Sequence, residues 1–194
     1  MKFFSLFGGL FFVISLALAQ EISVLPKDET GKYIYYEVVS RTANEDSLKV
    51  RAIDFLTKNK KEIKLKSSKE TAKVTANGKM VITKSLAMLS RPAGEITYTF
   101  NFEVNAQKYR FWLSDFEFIP YQKDRYGNFV PSTTVGVPLE NNPGKLNAGE
   151  WKEYKNQTFK FAKEFAADFK NEMANATPAV TVKPVEKRVV KKEW

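Results

Sequence analysis

The sequence predicts an α+β domain, a curved antiparallel sheet with two helices packed on one of its faces. Three observations predict it. Ile96, Tyr98, Phe100, Phe102 and Val104 alternate with Thr97, Thr99, Asn101 and Glu103, the period of two that marks a half-buried strand. After a polar turn at 105–108, Tyr109, Phe111 and Leu113 resume the alternation, so the two arms make a hairpin. Further on, Trp151, Tyr154, Thr158, Phe161, Phe165, Phe169 and Met173 step by three or four, the stripe of an amphipathic helix. An apolar sheet face and an aromatic helix stripe of similar length need each other as cover.

The elements follow in chain order. Residues 1–19 read as an export leader: Lys2, an apolar run, and the small-x-small site Ala17-Leu18-Ala19, with a mature start at Gln20 and no membrane span after its removal. Residues 20–173 then form a single domain. A lead-in with turn residues Pro26, Asp28 and Gly31 precedes a strand at 32–40. In that strand Ile34, Tyr36 and Val38 are assigned to the core, and Tyr33, Tyr35 and Val39 to the opposite face. Asn44 has N-cap chemistry, and Glu45 and Asp46 suit the positive end of a helix dipole. Leu48, Ala52, Phe55 and Leu56 give that helix its buried side.

A lysine-rich stretch follows, in which Ile63 and Leu65 alternate with Lys64 and Lys66. Lysines on a strand read best as protection of a sheet edge against further pairing. The next strand places Val74, Ala76, Met80 and Ile82 on one face, with Gly78 permitting a kink. Residues 85–94 are expected to cross into the hairpin. On its return arm the apolar phase slips from Leu113 to Phe116 and Phe118, which places a β-bulge near Ser114 and Asp115. Residues 120–149 lack a period yet hold many apolar side chains, so they are expected to form a long loop that binds something or covers apolar surface. Asn147 and Glu150 have capping-box spacing ahead of the long helix. Residues 174–194, with Pro178, Pro184 and five basic side chains, read as a flexible basic tail.

Composition excludes several chemistries. The chain has no His and no Cys, so imidazole bases, thiolate nucleophiles, disulfides and the usual Zn, Cu and haem ligands are missing. No cofactor is expected. The formal charge of +9 favours anionic partners at long range, or simply solubility.

Three groups of residues carry a resemblance: Leu25-Pro26 to Gly31-Lys32 with Tyr35-Tyr36-Glu37-Val38-Val39; the Asn44 helix leading to Ala52-Ile53-Asp54-Phe55-Leu56; and Tyr109-Arg110-Phe111 with Leu113-Ser114-Asp115-Phe116. Together they resemble a family of exported Bacteroidetes domains of unknown function with a TATA-box-binding-protein-like (TBP-like) fold. The resemblance spans roughly residues 22–173 and implies the topology β-α-β-β-β-β-α. It implies no catalytic residues.

Candidate sites are of three kinds. Asp115, Glu117 and Asp124 are carboxylates near the bulge and loop, and a pair of carboxylates is the machinery of glycoside hydrolysis. That gives an alternative reading, an envelope hydrolase using Asp115 or Glu117. The outer sheet face is expected to gather Tyr33, Tyr35, Arg110 and Trp112, with Tyr121 and Tyr126 from the loop, which is the composition of a binding surface. Nucleic acid is excluded as a partner: a fold does not carry its function along, the leader directs the chain outward, and the lysines sit at the edge. The resulting expectation is a non-enzymatic, periplasmic or envelope-associated binding domain whose partner is an envelope protein or an anionic envelope component.

Overall fold

The computed structural model describes residues 24–40, 43–67, 73–86, 89–105, 108–141 and 144–174. The expected leader and tail lie outside them. In chain order the elements are β1 (Tyr35–Ser40), α1 (Glu45–Lys58), β2 (Ile63–Ser67), β3 (Lys73–Leu86), β4 (Leu89–Asn105), β5 (Lys108–Lys123), β6 (Phe129–Pro131), β7 (Val137–Pro138), a 3-10 turn (Lys145–Asn147) and α2 (Ala148–Ala174). The sheet is antiparallel with strand order β1-β5-β4-β3-β2, and β6 and β7 both pair with β5. This is the expected α+β architecture with two short strands added.

Side-chain parity builds the core. Ile96, Tyr98, Phe100, Phe102 and Val104 of β4 and Tyr109, Phe111 and Leu113 of β5 are all buried on one face. The helices cover that face: Phe55 of α1 meets Phe165 and Phe169 of α2 edge-on at 5.3 and 5.2 Å. Phe169 is fully buried and touches Phe100, Phe102, Tyr109 and Phe111 as well. The stripe is therefore the central contact of the fold. Burying each such ring contributes about 1.5–3 kcal/mol.

Local chemistry sets the helix ends. Asn44 accepts the Ser47 N–H through its Oδ1 at 2.8 Å, the expected N-cap. The capping box at Asn147 does not form. Glu150 pairs with Lys84 at 2.7 Å instead, and the 3-10 turn leads directly into α2. The bulge stands where the phase slip put it: Tyr98 of β4 faces both Asp115 and Phe116, between the pairs Thr97–Glu117 and Thr99–Ser114. Asp115 adopts φ 53°, the left-handed conformation, to let β5 absorb the extra residue.

Two expectations are corrected. The described residues of the crossing at 85–94 are strand, because β3 runs on to Leu86 and β4 begins at Leu89, pairing with each other throughout. The facing of β1 is inverted. Tyr35, Glu37 and Val39 stand directly across from Leu113, Phe111 and Tyr109 of β5, and opposed residues of an antiparallel pair share a face. Tyr33 and Tyr35 thus lie on the helix side, whereas Tyr36 and Val38 are exposed on the other. Both parities of this strand are apolar, so its own letters did not discriminate between them.

Candidate binding face

The sheet face opposite the helices carries Trp112 at its centre. Tyr36 of β1 lies directly beside it, with ring centroids 6.3 Å apart. Two cations approach the same indole: the Arg110 guanidinium at 5.6 Å and the Lys73 ammonium at 5.9 Å. Glu103 stands between them. It accepts from Arg110 Nε at 2.8 Å and pairs with Lys73 at 3.7 Å. Cations over an indole face are attracted by its quadrupole. Val38, exposed by 54%, extends the apolar patch toward the β1 edge.

Along the strands the face turns polar. Thr75 donates to Asn101 at 3.3 Å beside Trp112. Beyond it, Asn77, Lys79, Thr97, Thr99, Asp115 and Glu117 border a shallow depression of about 570 Å³. Asp115 is held by Lys32 at 3.0 Å. Gly136 of the loop passes over Glu117 so closely that a Cβ there would lie 2.5 Å from the Glu117 Cβ. At the far end Glu95 is buried and accepts from Lys79 at 2.9 Å and from the Tyr121 hydroxyl at 2.8 Å. Burial, and then the Glu95 carboxylate, push the Tyr121 hydroxyl up to about 12.

The predicted residues are thus divided. Trp112 and Arg110 meet on the open face, and Tyr121 closes its far end. Tyr33 is buried on the helix side, where its N–H donates to Glu140 at 2.6 Å. Tyr35 packs on Phe159 and donates to Glu37 at 2.7 Å. Tyr126, exposed by 74%, sits at the tip of the β5–β6 hairpin under Arg125. Asp124 organises that tip by accepting from the N–H groups of Tyr126 and Asn128, each at 2.8 Å. The Asn128 N–H, first among these donors, holds its carboxyl below the ordinary value. Sequence reasoning missed Tyr36, Lys73, Val38 and Glu103. The pairing register of β1 against β5 is the signal that finds Tyr36, and no single strand contains it.

The strands of the 120–149 segment pair beyond Trp112, which stays half-buried. The segment pairs along β5 through β6 and β7, then sends Leu139 into the core, where the Leu139 carbonyl accepts from Trp151 Nε1 at 3.0 Å. Residues 37–119 match DUF4468, described as a domain of unknown function with TBP-like fold. Over that span the chain is similar to DUF4468 domains. The DUF4468 match holds Trp112, Arg110, Lys73 and Glu103 and ends where the loop segment begins. Two solved structures share its fold. A TBP-like protein from Parabacteroides distasonis ATCC 8503 has 16% identity and a TM-score of 0.58, covering 78% of this chain and 97% of that one. A DUF4468 family protein from Bacteroides ovatus ATCC 8483 has 14% identity and a TM-score of 0.54, covering 79% and 92%. At such identities the likeness is one of fold. No curated protein matches the sequence.

Proposed function

We propose that this domain is an exported binding module that takes its partner on the open sheet face. One observation carries the reading: Trp112 and Tyr36 stand together on the sheet face opposite α1 and α2, flanked by Arg110 and Lys73. Large aromatics beside cations are the residue types that anchor interfaces. The two basic groups favour a partner with acidic groups, an envelope protein or an anionic envelope component. The leader read at 1–19 would bring the domain there.

The test is a single variant measured twice. Trp112→Ala should change stability by no more than about 2 kcal/mol, the scale of partly desolvated cation–π contacts, and should abolish capture of the partner from an envelope extract. Normal stability with full capture would overturn the proposal.

A hydrolase remains the second reading, because Asp115 and Glu117 border one depression. Glu117→Gln would abolish hydrolysis under that reading and leave capture unchanged under the first.

A further inference from the structure

The two outer edges of the sheet are built differently. β2 carries Lys64 and Lys66, both exposed, and lysines discourage further strand pairing. β1 reads Tyr35-Tyr36-Glu37-Val38-Val39-Ser40, a run with no lysine, no proline and no bulge. Backbone parity shows which of its peptide groups face away from β5. Ile34 turns its N–H outward to the Pro26 carbonyl at 2.9 Å, and Tyr33 turns its N–H the other way, to Glu140. Alternation along the strand then sends the peptide groups of Tyr36, Val38 and Ser40 outward, while those of Tyr35, Glu37 and Val39 meet β5. The lead-in bridges this edge at Lys27–Tyr33 and goes no further along it. Among the described residues no partner meets the outward groups of Tyr36, Val38 and Ser40. The exposed side chains of Tyr36 and Val38 stand beside that open edge.

We infer that the β1 edge takes an extended acidic segment of a partner protein as an added strand. The inference rests on the reading of this sheet as a binding surface and names the partner's chemistry. Charge selects the occupant. On the helix side of the edge two ammonium groups approach the Tyr33 ring, Lys27 at 5.1 Å and Lys155 at 5.6 Å. Lys155 also donates to the Tyr33 hydroxyl at 3.4 Å. Neither lysine has a carboxylate at ion-pair distance among the described residues. Further along, Lys170 meets Glu37 at 2.7 Å, so the acid of the strand itself is already paired. The helix-side row of this edge therefore keeps a positive balance. A strand laid on β1 alternates its side chains between the two faces. Acidic side chains in one row face these lysines, and apolar ones in the other row extend the patch of Tyr36 and Val38. A second copy of the chain supplies no acid to the first row, because its own edge presents the same lysines and a glutamate already engaged. Main-chain hydrogen bonds give such an added strand its affinity, and the alternate side chains give it specificity.

The probe is an acetylated octapeptide alternating valine and glutamate, added to the intact chain and read by amide hydrogen exchange. It should slow the Tyr36 and Val38 amides at least tenfold. Its backbone N-methylated analogue, which cannot pair, and an analogue with lysine for glutamate should leave both amides fast. Lys27→Glu/Lys155→Glu should weaken binding of the acidic peptide at least tenfold while the amides of β4 exchange as before. The inference is overturned by the absence of added protection at millimolar peptide, or by equal protection from either analogue. It is overturned too if Tyr36 and Val38 are slow without peptide: protection that rises with protein concentration would assign the edge to a second copy, and protection that does not would assign it to the chain itself. Trp112→Ala separates this inference from the reading it rests on. Peptide protection together with full capture by that variant would sustain the edge and overturn the open face, whereas lost capture without peptide protection would do the reverse.

Discussion

Asp115, a candidate acid in the sequence, has a conformational role in the fold. Its φ of 53° costs a side-chain-bearing residue about 1 kcal/mol, which glycine avoids. Its ion pair with Lys32 is exposed and contributes little. Asp115→Gly should therefore leave thermal stability unchanged or raise it slightly, and a marked drop in melting temperature would show that the carboxylate supports the fold. Gly94 argues the opposite way. A Cβ there would lie 2.4 Å from the Ile119 carbonyl oxygen, a backbone atom that cannot swing aside. Gly94→Ala should cost about 1–3 kcal/mol in chemical denaturation, as overpacking does. Tyr121 supplies a pH signature. Its folded-state value is raised above the ordinary 10, so its contribution to stability is complete below pH 10 and is lost as pH rises through about 12. Ultraviolet titration should show one late-ionising tyrosine fewer in Tyr121→Phe.

At the scale of elements, the long helix and the central hairpin depend on each other. Phe169 is fully buried among rings from α1, β4 and β5, so Phe169→Ala should destabilise by about 3–5 kcal/mol through the cavity it leaves. Lys160, exposed on α2 off its buried stripe and loosely paired with Glu164 at 4.0 Å, should tolerate alanine within about 0.5 kcal/mol. Equal losses at the two positions would mean that α2 packs by another face. β2 behaves as its lysines suggested: it is an edge strand, and Lys64 and Lys66 are exposed on it. β1 is the other edge. Its inner row can accept Glu37 because Lys170 of α2 reaches the border of the core and pairs with it at 2.7 Å.

For the molecule as a whole, the two sheet faces divide the labour. One is sealed by α1 and α2, and the other keeps Trp112 and Tyr36 in solvent reach. Such a division lets an interface change without disturbing the core, since the residues concerned project from opposite sides of the same strands. The export proposal is tested at this scale. Mass spectrometry of the protein from the envelope fraction should find a chain beginning at Gln20, and an intact Met1 there would refute it.

Strong one-dimensional periodicity determined much of this protein. The alternation in β4 and β5, the stripe of α2, the Asn44 cap and the bulge at Asp115 are each written in neighbouring residues, and the structure places them as read. Tertiary structure decided what depends on pairing between distant segments. β1 is apolar at both parities, so only its register against β5 sends Tyr35 inward and Tyr36 outward. The candidate face changed its members for that reason alone, gaining Tyr36 and losing Tyr33 and Tyr35. Lys73 and Glu103 joined it because β3 and β4 bring them beside β5, a proximity that no local pattern encodes. The loop at 120–149 was illegible for a related reason. Its short strands have almost no period of their own and take their conformation from pairing with β5.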